Sequence, residues 1–148
     1  MIAALEERQG ARVLLTPLAC DGGIDVIAMR EREVRLIQCK HTLWGASVDA
    51  NVVAEVIQAF DGYRARWLRP LSGTSVLRAV LVTNGTFTVG ARMAEGAQEI
   101  QLIADANLWR LLDATPCTLA DIEIMESRRL ASMRDVQAAM EQMTRSGA

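Results

Sequence analysis

Asp25, Gln38 and Lys40 are the residues of this chain whose types and spacing carry chemistry. They sit in two short segments, Asp21-Gly22-Gly23-Ile24-Asp25 and Gln38-Cys39-Lys40, separated by twelve residues. A carboxylate, a neutral amide oxygen and a backbone carbonyl, here that of Cys39, are the hard oxygen donors that Mg2+ prefers. Lys40 is the chain's single lysine beside fifteen arginines. An ammonium is a compact point charge that can shift its pKa and move a proton, whereas a guanidinium keeps its proton. An acid for a metal ion, an oxygen donor beside it and a cation for the attacking water are what metal-assisted cleavage of a phosphodiester requires.

Such groups act together only if the chain brings them to one face. The apolar runs Ile24 to Met29 and Val34 to Lys40 flank Arg30-Glu31-Arg32-Glu33, and together they predict an antiparallel hairpin with a four-residue loop. Met29 then pairs with Val34, and counting back along both strands sets Asp25 opposite Gln38. Opposed residues share a face, as do residues two apart on one strand, so Asp25, Gln38 and Lys40 converge. Before the hairpin, Ile2 to Gln9 predicts a short helix ended by Gly10, and Arg12 to Thr16 a strand. After it, Ser47 caps a long helix with the stripe Val48, Val52, Val56, Phe60, Tyr63 and Trp67. Pro70 to Thr74 ends that helix, and Ser75 to Thr83 is apolar enough to lie at the sheet centre. A helix after Thr88, a strand at Ile100 to Ile103, and a helix capped by Asp105 and carrying Leu108, Leu111 and Leu112 follow. Beyond Pro116 the tail reads as helical, opened by a capping box of Thr118 and Asp121. Its stripe of Leu119, Ile122, Met133, Val136, Met140 and Met143 packs on the domain's own core, or else forms a methionine-rich interface. The order αβββαβαβα predicts an α/β fold with a mixed sheet.

Composition removes other classes. The chain has 148 residues, 51% hydrophobic, with ten glycines and three prolines, which describes one compact domain able to bury its own core. Cys20, Cys39 and Cys117 are odd in number and lack CxxC spacing, so they read as reduced thiols. One histidine, His41, cannot build a zinc cluster, and no GxSxG segment supports a serine hydrolase. Gly22-Gly23 precedes a strand rather than a helix, and no GKS or GKT follows, so no nucleotide loop is present. A net charge of −2 rules out indiscriminate nucleic-acid binding. DNA contact must come from local groups such as Arg64, Arg66 and Arg69, or Arg30, Arg32 and Arg35. No apolar run approaches the ~20 residues of a membrane span, and the first residues carry acids where a signal peptide carries bases. The expectation is a soluble, cytoplasmic protein with no membrane partner.

The pattern DGGID, twelve residues, then QCK resembles the catalytic core of the Mrr-type restriction endonucleases, a branch of the PD-(D/E)xK nuclease superfamily with glutamine in the middle motif. The helix from Val48, the strand AVLVTN, the phrase Phe87-Thr88-Val89-Gly90-Ala91 and the strand IQLI before NLWRLL follow the same order. The resemblance covers residues 1–112 as a nuclease domain with an αβββαβ restriction endonuclease-like core, and leaves 113–148 as a helical C-terminal extension, packed on the domain or forming an interface. It implies a Mg2+-dependent DNA endonuclease, with Mn2+ as a substitute, acting in restriction of foreign or modified DNA. Asp25 would be the metal carboxylate, Gln38 the second acidic-motif position, the Cys39 carbonyl a further metal ligand and Lys40 the catalytic lysine. The implied partners are DNA, a second copy of the chain, and other domains or subunits of a restriction system. A further family glutamate, about eleven residues before the glycine that ends helix one, falls ahead of Met1 in this numbering. Glu6 and Glu7 read as solvated acids, and Glu55 as exposed helix surface. The alternative is a truncated or inactive nuclease fold kept as a DNA-binding or protein-interaction module.

Overall fold

The computed structural model describes residues 1–19, 22–43, 46–67, 76–98 and 100–145, with the backbone alone described at 67 and 95–98. Helix α1 (Ile2–Arg8) leads into β1 (Arg12–Leu15), β2 (Val26–Arg30) and β3 (Glu33–Lys40). The short strand β4 (Ser47–Val48), helix α2 (Ala50–Trp67), β5 (Val76–Thr83), β6 (Thr86–Phe87), α3 (Val89–Gln98) and β7 (Ile100–Ile103) follow. Three helices close the described chain: α4 (Asp105–Ala114), α5 (Leu119–Ser127) and α6 (Met133–Arg145). The break predicted at Pro70 to Thr74 lies outside the described residues.

The main sheet has the order β1-β2-β3-β5-β7, and β4 and β6 form a separate parallel pair. β1, β2 and β3 are antiparallel neighbours, while β3, β5 and β7 run parallel. The parallel half needs crossovers, which α2 and α3 supply, and the antiparallel half needs only turns. Helices therefore cover both faces. On one face Leu15, Val26, Ala28, Ile37, Val80 and Val82 pack under Ile2 and Ala3 of α1, Leu108 of α4 and Met125 of α5. On the other, Leu14, Ile27, Val34 and Leu36 meet Tyr63 of α2 and Val136 and Met140 of α6, and Ala79 and Leu81 meet Val53, Val56 and Ala91. Alternation along each strand divides the core this way, because neighbouring side chains point to opposite faces.

Several local expectations differ from what is observed. The β2–β3 loop has two residues, Glu31 and Arg32, because Arg30 and Glu33 pair; the register Met29 to Val34 is the expected one. Ser47 and Val48 belong to β4, and α2 is capped instead by Asp49, whose carboxylate accepts the amides of Asn51 (2.9 Å) and Val52 (3.2 Å). A hydroxyl two residues early loses to a carboxylate placed to reach two orphan donors. Asp105 is the first residue of α4, preceded by Ala104 without a side-chain cap. The tail is two helices. Thr118 and Asp121 form the capping box of α5, and Met125, Val136 and Met140 are buried in the core, whereas Leu119 is 71% exposed.

Candidate active site

The geometry starts from the register. Val26 pairs with Ile37, and the Asp25 amide donates to the same Ile37 carbonyl at 2.9 Å, so Asp25 is tied to β3 just ahead of β2 and out of the regular register. Its carboxylate turns onto β3, where Oδ2 accepts the Cys39 amide at 2.6 Å. A charge-assisted bond of this length fixes the acid against the QCK segment. Gln38 and Lys40 lie beside Leu81 and Thr83 of β5, near the carboxyl ends of two parallel strands. That is where open α/β sheets place their ligand crevices. Asp25, Gln38 and Lys40 are each half-buried. Among the described residues Lys40 has no carboxylate within ion-pair distance.

The two glycines before Asp25 are required by space and by backbone. Gly22 and Gly23 have φ of +68° and +80°, a region that side-chain-bearing residues enter at a cost. A Cβ on Gly23 would stand 3.0 Å from the Ala59 Cβ on α2 and 3.2 Å from Gln38 Oε1. The loop thus passes between α2 and β3 and brings backbone up to the Gln38 amide. The sequence shows the glycine pair but not this use of it; its signal is the position just ahead of a chemically loaded strand. Behind Lys40 the chain is held by Asn84, whose Oδ1 accepts the Thr42 amide at 2.7 Å and whose Nδ2 donates to the Thr42 carbonyl at 3.0 Å.

Cys39 points to the opposite face from Gln38 and Lys40. The atoms packed around its sulfur, and then the Asp25 carboxylate, push its thiol up to about 12, although the residue as a whole is open to solvent. It stays protonated at neutral pH and offers no thiolate nucleophile. The donor set is oxygen only, which suits a hard divalent cation; Mg2+ is commonly held by one or two carboxylates with water and substrate phosphate completing its shell. Among the described residues no group of three or more histidine, cysteine, aspartate or glutamate side chains could hold a metal ion.

Glu6 corrects the reading of helix one. It is 4% exposed rather than solvated, and its carboxylate is bound by Arg35 and by Arg30, the latter at 3.1 Å. Arg30 and Arg35 stand at the hairpin end of the sheet, so these two of the suggested phosphate contacts are engaged internally. Glu7 pairs with Arg128 at 2.7 Å, and Glu55 is exposed on α2. His41 is exposed just past β3; Arg64 and Arg66 are exposed on the last turn of α2, and Arg69 lies outside the described residues.

A mixed sheet covered by helices on both faces is the architecture of a restriction endonuclease-like domain. The restriction endonuclease family Mrr_cat matches residues 1–112, and the chain belongs to that family. Members of this class generally use divalent metal ions. No curated protein matches the chain. Among solved structures, a protein of unknown function, AF1548, is similar at 22% identity and a TM-score of 0.58, over 77% of this chain and 62% of that one. The restriction endonuclease MspJI in complex with a 27-mer oligonucleotide is similar at 25% identity and a TM-score of 0.47, over 75% of this chain and 27% of that one. The chain thus spans less than two thirds of the length of either protein. Among the described residues no helix is long and apolar enough to cross a membrane.

Proposed function

We propose that this chain is the catalytic domain of a Mg2+-dependent DNA endonuclease, with Mn2+ able to replace Mg2+, that serves restriction of foreign or modified DNA. In this reading Asp25, the Gln38 side-chain oxygen and the Cys39 carbonyl hold the ion, and Lys40 faces the scissile phosphate. When bound, the divalent ion neutralises phosphate charge and acidifies water. The 2.6 Å bond from the Cys39 amide keeps Asp25 beside the QCK segment. Lys40 supplies positive charge where negative charge builds on the phosphate oxygens and orients the attacking water. Water adds to phosphorus, the bond to the 3′ oxygen breaks, and a 5′-phosphate and a 3′-hydroxyl result.

The observation that supports the reading is family membership together with the bond that ties the Asp25 carboxylate to the Gln38-Cys39-Lys40 segment. DNA is the partner, and the cytoplasm is where it would be met. Cutting both strands calls for two copies of the chain or other subunits, and the helices from Leu119 to Arg145 act as an extension of the nuclease domain. One observation favours the second reading, an inactive nuclease-fold module for binding DNA or protein: among the described residues no group of three or more histidine, cysteine, aspartate or glutamate side chains could hold a metal ion. The test is nicking of methylated and unmethylated supercoiled plasmid, with Mg2+ or with EDTA, by the wild-type chain and Lys40→Ala. The nuclease reading expects cleavage that needs Mg2+ and Lys40. DNA binding without cleavage, unchanged in the variant, supports the module.

A further inference from the structure

Thr16 is a buried polar residue that the proposed mechanism does not use. Its side chain is 0% exposed, and its hydroxyl donates toward the Ile24 carbonyl at 2.5 Å and the Asp25 carbonyl at 3.0 Å. The Thr16 amide also donates to the Asp25 carbonyl, at 3.2 Å. The Asp25 backbone is therefore held from two sides: β3 takes its amide, and Thr16 grips its carbonyl. The amide bond extends the β1–β2 register one step past Leu15 and Val26, and the Thr16 hydroxyl adds a hold on the Asp25 carbonyl that strand pairing does not supply.

Thr16 is in turn held by the C-terminal tail, beyond the residues that match the family. Arg129 donates through Nη1 to the Thr16 carbonyl at 2.8 Å. Glu126, on the preceding turn, takes the Arg129 Nε and Nη2 at 2.9 and 2.8 Å. A planar guanidinium gripped on two donors by a carboxylate presents its remaining donor in a fixed direction. The next residue extends the hold, since the Leu130 amide donates to the Leu15 carbonyl at 3.1 Å on the open edge of β1. Val136 and Met140 then seat α6 against Ile24 and Ile27, the residues flanking Asp25 and Val26.

We infer that Arg129 is a positioning residue for the metal site: through Thr16 it fixes the backbone at Asp25, so that the tail sets how well the acid is presented to a divalent cation. The inference deepens the nuclease reading and rests on it for the role of Asp25. The adjacent Arg128 supplies the control, because it binds Glu7 on α1 and lies outside this chain of hydrogen bonds. Arg129→Met, the milder Arg129→Lys, Thr16→Val and Arg128→Met would be compared in the full chain. Amide hydrogen exchange at Asp25 and Cys39 reads the positioning with no metal added, and the Mg2+ concentration for half-maximal plasmid nicking reads its consequence.

Arg129→Met and Thr16→Val are expected to speed exchange at both amides by about tenfold, the equivalent of one hydrogen bond to a charged group, and to raise half-saturating Mg2+ by a similar factor. The rate at saturating Mg2+ should stay near wild type. Arg129→Lys should fall between, and Arg128→Met should move neither readout. If the Arg129 variants match Arg128→Met in exchange, the inference is overturned. If wild-type protein does not cleave while exchange responds as expected, the nuclease reading falls and the positioning role of Arg129 stands. Should Arg129→Met fail to fold, Arg129→Lys decides by the same two readouts.

Discussion

Strand β3 carries a charged group near each end, and the two are treated differently. At the hairpin end Arg35 turns to one face, where it and Arg30 close on Glu6, an acid 4% exposed. At the other end Lys40 turns to the opposite face, half-buried and without a carboxylate partner among the described residues, while Asp25, just ahead of β2, is bound by the Cys39 backbone amide. A buried carboxylate between two guanidiniums is matched from within and has little left to offer a ligand. Lys40, with no carboxylate at ion-pair distance among the described residues, keeps its charge for a group from outside the fold, and in the proposed reading that group is a phosphate beside a metal ion. The contrast separates a charge cluster closed within the fold from the end of β3 where the proposed function places the substrate.

The sharpest way to break this contrast is to keep the charge at Lys40 and remove its ability to move a proton. Lys40→Arg is expected to slow single-turnover cleavage by about 10²–10⁴-fold, the usual contribution of a positioned proton-transfer group, with an unchanged melting midpoint; a near-wild-type rate would reduce the role of Lys40 to charge alone. At the hairpin end the signature reverses. Arg35→Met strips a cation from buried Glu6 and should cost about 3–5 kcal/mol of stability, seen in urea unfolding, while the rate per folded molecule is retained. Gly23→Ala lies between the two: the positive φ costs about 1–2 kcal/mol, and the added methyl meets Ala59 and Gln38, so stability and cleavage should fall together. The smallest effect concerns the clasp between α1 and α5. The Thr118 hydroxyl, and then Arg8, hold the Asp121 carboxyl down at about 2 from its ordinary 3.8. A depressed acid contributes stability that is complete above pH 4 and lost as pH falls through about 2. Melting midpoints from pH 5 to pH 2 should therefore drop more for wild type than for Asp121→Asn.

Much of this arrangement is legible in the sequence because it depends on alternation and on short-range register. Met29 opposite Val34 follows from two apolar runs and a charged loop, and the pairing runs on to Val26 opposite Ile37 whether the loop is counted as four residues or as two. Helix starts are less legible: Ser47 and Asp49 are both good caps, and pairing of Ser47 with Thr86 in the small parallel sheet decides between them. Glu6 reads as a surface acid because nothing local shows that Arg30 and Arg35, more than twenty positions away, will close on it. Thr16 and Arg129 were illegible for the same reason, since a hydrogen bond spanning 113 residues leaves no periodic trace.

The most direct trial of the account compares single-turnover nicking of supercoiled plasmid at saturating Mg2+ by wild type and Asp25→Ala, matched for folded fraction. The account predicts Mg2+-dependent nicking by wild type and a loss of at least about 100-fold in the variant, with the melting midpoint little changed. Equal rates for the two proteins would contradict it.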